Sequence, residues 1–341
     1  MIYGNVELHN IDEVVEVGDG GPVRLQRTPE AVRLKLNKYA QEKVLSPANA
    51  EIRFVCEGPS VRLTLSSKGQ TDASIFYGPF QGKQSLVIGT EPQVVELHAQ
   101  ADRLARMPGV HGKAMAFSPK VCRIMLRGAS LRIHKIEGDV RPPTAGEVPA
   151  LRYLAYGTSI THGSAATGPH LTYVAQVARR LNADLINLGL GGAAHCEFEI
   201  SDYIAARKDW HFATLELSVN MISAGFSLDD FYKRVSYMVN TVAGSDTSRP
   251  VACITIYPHH RDLSDSFNDA DQKGSLEEYR QKLRDAVAAC PHPNVHLLEG
   301  PDILQEIGDL TTDLLHPADN GMIQMGENLA RKLEPLVKPL V

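Results

Sequence analysis

Along the first 138 residues apolar and polar positions mostly alternate or fall into short apolar runs, as in Glu51-Ile52-Arg53-Phe54-Val55-Cys56 and Ser60-Val61-Arg62-Leu63-Thr64-Leu65. A period of two puts successive side chains on opposite faces of a strand. Further strands are predicted over 73–79, 84–88, 93–97, 115–126 and 130–137, separated by Gly, Pro or polar turns at the spacing of an antiparallel sandwich or jelly roll. Only 29–43 reads as helical. Arg141-Pro142-Pro143-Thr144-Ala145-Gly146 then breaks any regular element, which places a linker at about 139–150. The expected division is a β-sandwich over 1–140, a linker over 141–150 and a second domain over 151–341.

After the linker the rhythm changes. Short apolar strands at 151–156, 184–188, 213–217, 251–257 and 295–298 alternate with segments whose apolar residues recur every three or four positions, such as Leu228, Phe231, Val235, Met238 and Val242. A final helix is expected over about 320–336. This is the pattern of a parallel sheet covered by helices on both faces. Ligands of such sheets sit beyond the carboxyl ends of the strands, so the segments just after each strand hold the candidate chemistry.

Composition narrows the classes. The 341 residues suit two packed units, and 43% hydrophobic against 22% charged residues gives enough apolar surface for real cores. With 35 Lys and Arg against 40 Asp and Glu, the net charge of -5 provides no basic field for nucleic acid. No run approaches the ~20 apolar residues of a membrane span. The amino terminus has neither a basic nor an apolar leader region, so a cytoplasmic location is expected. Five scattered cysteines without CxxC spacing read as reduced thiols, not as a disulfide framework or a zinc site.

Four segments at strand ends carry complementary groups. Tyr156-Gly157-Thr158-Ser159 offers a hydroxyl at a helix start, although Ser and Thr there are commonly caps. Asn187-Leu188-Gly189-Leu190-Gly191-Gly192 permits close backbone approach to a ligand and lacks the dinucleotide fingerprint; a plain turn is the simpler reading. Ser218-Val219-Asn220-Met221 ends a strand in an amide donor or a turn former. Asp313-Leu314-Leu315-His316 sets a carboxylate three residues before an imidazole, within reach of its Nδ1–H if the loop makes one turn. Each is common singly. Together, in this order, they are complementary.

On these residues the stretch 151–341 resembles the Ser-Gly-Asn-His hydrolases, or GDSL esterases. Gly157-Thr158-Ser159-Ile160 matches the G-D-S block with Thr for Asp, and Gly192 falls on the oxyanion glycine. Asn220 matches the asparagine of G-x-N-D, with its flanking Gly and Asp lost, and Asp313 and His316 match D-x-x-H. The resemblance implies a flavodoxin-like three-layer α/β fold and a Ser159–His316–Asp313 triad. It also implies an oxyanion hole from Ser159, Gly192 and Asn220, and neither metal nor cofactor. A β-sandwich before such a domain is similar to certain carbohydrate esterases that remove O-acetyl groups. The expected partner is therefore a small-molecule or oligosaccharide ester. The sandwich would otherwise pack against the second domain or support a homo-oligomer. Two other functions stay open: a short-chain esterase or lysophospholipase, and a non-catalytic carbohydrate-binding protein. His162, His195 and His259 are candidate pocket residues with an equal claim to structural roles, and Glu216, within an apolar strand, needs a partner if buried.

Overall fold

The computed structural model describes residues 1–98, 115–264 and 273–340. A first, antiparallel sheet of ten strands comprises β1 (Ile2–Tyr3), β2 (Val6–His9), β3 (Glu13–Glu16), β4 (Val23–Gln26), β5 (Glu51–Ser67), β6 (Thr71–Tyr77), β7 (Phe80–Ile88), β8 (Gln93–His98), β9 (Val121–Leu126) and β10 (Leu131–Arg141). The 17-residue β5 organises it. Its first half pairs with β2 and β9, and its second half with β8 and β10, so one strand serves two layers. The change falls around Gly58-Pro59, where a residue without an N–H suits a strand leaving its ladder. Inward residues of both layers, among them Leu8, Phe54, Leu63, Ile124 and Ile133, form one apolar core.

The segment predicted as one helix over 29–43 is instead two, α1 (Glu30–Arg33) and α2 (Lys38–Lys43). Asn37 divides them: its side chain accepts the Ala40 N–H as an N-cap. Leu36, Ala40 and Val44 from this region are buried with the core of the second sheet.

That second sheet contains β11 (Leu151–Tyr156), β12 (Ala183–Asn187), β13 (Phe212–Glu216), β14 (Val251–Ile254) and β15 (Val295–Leu298), all parallel, in the order β12-β11-β13-β14-β15. The helices between are α3 (Ser159–His162), α4 (Tyr173–Arg180), α5 (Phe198–Ala206), α6 (Val219–Ser223), α7 (Leu228–Gly244), α8 (His260–Leu263), α9 (Leu276–Ala288) and α10 (Asp319–Val337). Helices α4 and α10 pack on one face with Val177, Met325 and Leu329, while α5, α7 and α9 pack on the other with Ile204, Val239 and Leu283. The strand order reverses at β11, so the crevice lies past β11 and its neighbours. Among the described residues no helix is long and apolar enough to cross a membrane.

The two sheets are joined by buried charge. The Arg53 guanidinium on β5 forks onto Asp184 of β12 at 2.6 and 2.9 Å, and its Nε donates to Glu51 at 2.7 Å. Glu51 in turn accepts two hydrogen bonds from Arg123. Bidentate pairing of this kind fixes relative orientation as well as energy.

Candidate active site

The turn that carries Ser159 is shaped by what lies under it. β11 ends at Tyr156, and a Cβ on Gly157 would collide with the Thr161 hydroxyl and the Glu216 carboxylate, so only glycine fits. Thr158 caps α3 by accepting the Ile160 N–H, and Ser159 opens the helix. Gly163, at φ +84°, closes it against Thr172.

Ser159 is buried, and its Oγ lies 2.7 Å from His316 Nε2. His316 Nδ1 lies 2.7 Å from Asp313 Oδ2. A carboxylate only accepts, so Nδ1 carries the proton and Nε2 offers its lone pair to the Ser159 hydroxyl. Asp313 is held by its own loop: Oδ1 accepts the N–H groups of Leu315 and His316 at 2.9 Å and the Thr311 hydroxyl at 2.8 Å. Burial would raise its pKa, but the backbone N–H and ring of His316, with Leu315 and Thr311, outweigh burial and keep it well below the usual carboxylate range. Leu314 takes φ +53°, and its carbonyl accepts the His260 N–H, which ties the loop to α8.

The glycine loop and Asn220 follow β12 and β13, the two strands that flank β11. Gly192, beyond β12, has φ +72° and open space where a Cβ would stand. Asn220, in α6 beyond β13, accepts the Ala194 N–H on Oδ1 at 3.2 Å, and Ser218 donates to the Ala194 carbonyl. With Oδ1 so engaged, the Asn220 Nδ2 group is left to donate elsewhere. Met221, where the resembled block carries Asp, is fully buried in the core.

Thr158 stands where the resembled G-D-S block carries Asp, and a carboxylate reaches the turn from another strand instead. Glu216 at the end of β13 accepts the Thr158 N–H at 2.6 Å, the Thr158 hydroxyl at 2.7 Å and the Thr161 hydroxyl at 3.1 Å. Burial raises its pKa to about 7 against these hydrogen bonds, which lower it. The folded chain thus retains a proton that the unfolded chain, with a pKa of 4.5, releases. The resulting stabilisation is complete below that value and is lost as pH rises through 7. Relative to Glu216→Gln, the unmodified protein should lose on the order of 2 kcal/mol of unfolding free energy between pH 5 and pH 8. Urea unfolding of both at the two pH values checks this; equal pH slopes would mean that Glu216 does not titrate in the range.

The three histidines proposed for the pocket are engaged by protein. His162 sits between Gly189 O (3.0 Å from Nδ1) and Ser46 Oγ (3.1 Å from Nε2), and burial together with the Arg27 cation lowers its pKa to about 3. His195 Nδ1 faces Asn37 at 3.4 Å, and its ring lies against Phe226. His259, 2% exposed, caps α8 through Nδ1. Among the described residues none of the three is hydrogen-bonded to Ser159, Asp313 or His316.

A groove of about 580 Å³ is lined by His162 of α3 and the following Ser164 on one side and by Lys68, Gln70, Arg127 and Ser130, in the β5–β6 and β9–β10 connections, on the other. Ser164 Oγ and Ser159 Cβ lie 3.3 and 3.5 Å from the point where a Cβ on Gly191 would stand, so Ser164, at the edge of the groove, and Ser159 flank the same glycine.

Sequence reading did not foresee that the first sheet's side of the molecule also supports the glycine loop. Asn187 is the junction: its carbonyl accepts from Arg27 at 2.8 Å and Asn10 at 3.1 Å, and its side-chain amide donates to Asn49 at 2.7 Å and to the Thr161 carbonyl at 2.9 Å. Arg27 is 1% exposed and donates to four backbone carbonyls, those of Lys43, Ser46, Asn187 and Gly189. Its pKa is lowered to about 9 by burial. In sequence Arg27 is one arginine among many, with no spacing that links it to residues 187–192.

A doubly covered parallel sheet with a hydroxyl, an imidazole and a carboxylate in line past its reversal point defines an α/β ester hydrolase. Residues 152–334 match the model of the GDSL-like lipase/acylhydrolase family, and the chain belongs to that family. A search of curated protein sequences gives no match. Solved structures share the fold over nearly the whole chain. A salicylyl-acyltransferase, SsfX3, from a tetracycline biosynthetic pathway is 16% identical, with TM-score 0.78 over 97% of this chain and 95% of that one. A family two carbohydrate esterase from Cellvibrio japonicus is 12% identical, with TM-score 0.63 over 99% and 96%. An acetyl xylan esterase, Est2A, from the rumen bacterium Butyrivibrio proteoclasticus is 10% identical, with TM-score 0.56 over 99% and 97%.

Proposed function

We propose that the protein removes short acyl groups, foremost O-acetyl groups, from carbohydrate esters by a covalent serine mechanism. The observation that carries this reading is the line from Ser159 Oγ through the His316 ring to Asp313, with 2.7 Å at each step. Ser159 attacks the ester carbonyl while His316 Nε2 takes its proton; the C–O bond to the alcohol breaks, and His316 returns the proton to that oxygen. Water then attacks the acyl-enzyme with His316 again as base, which releases the carboxylic acid and restores Ser159. Asp313 keeps the ring in the tautomer this requires. The N–H groups of Ser159 and Gly192 and the Asn220 amide stabilise the oxyanion, each such donor contributing about 3 kcal/mol.

The groove reached past Ser164 supports a polyhydroxyl alcohol, since Gln70, Ser130, Ser164, Lys68 and Arg127 offer hydrogen bonds along it. Likeness in fold to the carbohydrate esterases supports the same choice. Five free thiols suit the reducing cytoplasm expected from the sequence. In an acyl-length series on p-nitrophenyl esters, kcat/KM should fall at least about tenfold beyond two carbons, as loss of fit in a small acyl site does, and acetylated oligosaccharides should release acetate. A flat or rising profile would favour a broad esterase or lysophospholipase. Product acylated on an added alcohol, with little free acid, would favour acyl transfer as in the salicylyl-acyltransferase.

A further inference from the structure

The glycine loop and the turn that carries Ser159 are tied to each other by one continuous line of hydrogen bonds. Arg27 Nη2 donates to the Gly189 carbonyl at 2.9 Å. That carbonyl belongs to the same peptide group as the Leu190 N–H, which donates to the Gly157 carbonyl at 2.8 Å. The Gly157 carbonyl in turn shares a peptide group with the Thr158 N–H, which donates to Glu216 Oε2 at 2.6 Å. A guanidinium closes one end and a carboxylate the other. Both side chains are essentially inaccessible, at 1% exposure each. Among the described residues neither forms a direct ion pair: Arg27 meets only carbonyls, and Glu216 only the Thr158 and Thr161 donors.

We infer that Arg27 and Glu216 are paired positioning residues, coupled through the Gly189–Leu190 and Gly157–Thr158 peptide groups, that hold the glycine loop in register with the nucleophile turn. The inference rests on the reading of the site as an ester hydrolase. Its physical basis is polarisation: a cation on a peptide carbonyl makes the N–H of that peptide a better donor, and a carboxyl oxygen accepting a peptide N–H makes the carbonyl of that peptide a better acceptor, so the middle bond strengthens from both sides. That middle bond, Leu190 to Gly157, spans the two loops. Ser159 follows Thr158 directly and Gly192 lies two residues past Leu190, so their N–H groups take their spacing from it. Both buried groups are fully hydrogen-bonded, Arg27 to four carbonyls and Glu216 to the Thr158 and Thr161 donors. Neither touches the reacting atoms, and both are distinct from the triad.

Steady-state kinetics of the full chain on p-nitrophenyl acetate, combined with amide exchange by NMR, tests this with Arg27→Met, Arg27→Lys, Glu216→Gln and the double variant Arg27→Met/Glu216→Gln. Each single variant should lower kcat about 10- to 100-fold with KM within about twofold, the effect of a slightly misplaced donor pair. The double variant should be no worse than the poorer single one by more than about threefold, because both break one chain; sites this far apart without a shared path add instead. The Leu190 amide should exchange faster in Glu216→Gln, two peptide groups from the altered side chain. Arg27→Lys, which keeps the charge but cannot span four carbonyls, should fall between the unmodified protein and Arg27→Met, and it serves if Arg27→Met does not fold. Multiplicative losses in the double variant, or a Leu190 exchange rate unchanged in Glu216→Gln, overturn the coupling. If the unmodified protein hydrolyses no ester, the hydrolase reading fails by itself, and the Leu190 exchange still decides whether the chain is coupled.

Discussion

Ser159→Ala should reduce hydrolysis of p-nitrophenyl acetate by roughly 10⁴- to 10⁶-fold while the protein stays folded. The change removes one oxygen from a buried position at the start of a short helix, and alanine is compatible with that backbone. The two threonine hydroxyls of the same turn are committed elsewhere: Thr161 to Tyr173 and Glu216, and Thr158 to Glu216 and the Ile160 N–H. Residual rate would come from the amide donors acting on bound ester with water as nucleophile, which explains a finite floor. A fluorophosphonate should label the unmodified protein at Ser159 and leave Ser159→Ala unlabelled. Undiminished turnover by the variant would remove the nucleophile assignment; labelling at another residue would move it.

The parallel half of the fold was readable because its signals are local. Strands expected at 151–156 and 295–298 have those bounds in the structure, and the expected helix over 320–336 runs from Asp319 to Val337. Continuous apolar runs ending in Gly, Asn or Pro mark a strand and the crevice after it, which made the segments around Ser159, Gly192 and Asn220 candidates; the family resemblance, not the spacing, singled out Gly192. The departures have physical causes. A strand was expected to 257 but ends at Ile254; Thr255, Ile256 and Tyr257 are buried, yet the neighbouring β15 ends at Leu298 and offers no further ladder. The strand expected from 115 starts at Val121, after the turn at Ser118-Pro119. Strands β1 to β4 went unpredicted because two to four residues are too few to show a period.

What a single sequence hides is the support behind the site. Asn10, Arg27 and Asn49 act on Asn187 from 138 to 177 residues away, and nothing in their spacing distinguishes them from surface residues. Glu216 is the partial exception. Its place within an apolar strand called for a partner, and the Thr158 substitution in the neighbouring block is that partner: the hydroxyl and N–H of residue 158 donate to a carboxylate supplied by β13. This arrangement costs stability near neutral pH, because the ionised carboxylate is fully buried, and such costs are tolerated where a site needs a fixed geometry.

Asp313→Asn should lower kcat about 10³- to 10⁴-fold with little change in fold. The variant retains an oxygen that can accept the Leu315 and His316 N–H groups, so the turn carrying His316 is preserved. The atom facing His316 Nδ1 then becomes an amide nitrogen, which donates. To meet it, Nδ1 must present a lone pair, and the ring proton moves to Nε2, which faces the Ser159 hydroxyl 2.7 Å away. In that tautomer Nε2 cannot accept the serine proton, and the imidazolium formed in the transition state loses its carboxylate neighbour as well. The loss should fall on kcat, and it should shrink at high pH as hydroxide assists serine deprotonation. A variant within about tenfold of the unmodified protein at pH 7 would show that His316 is oriented by its loop alone, and would reassign Asp313 from tautomer control to holding the turn.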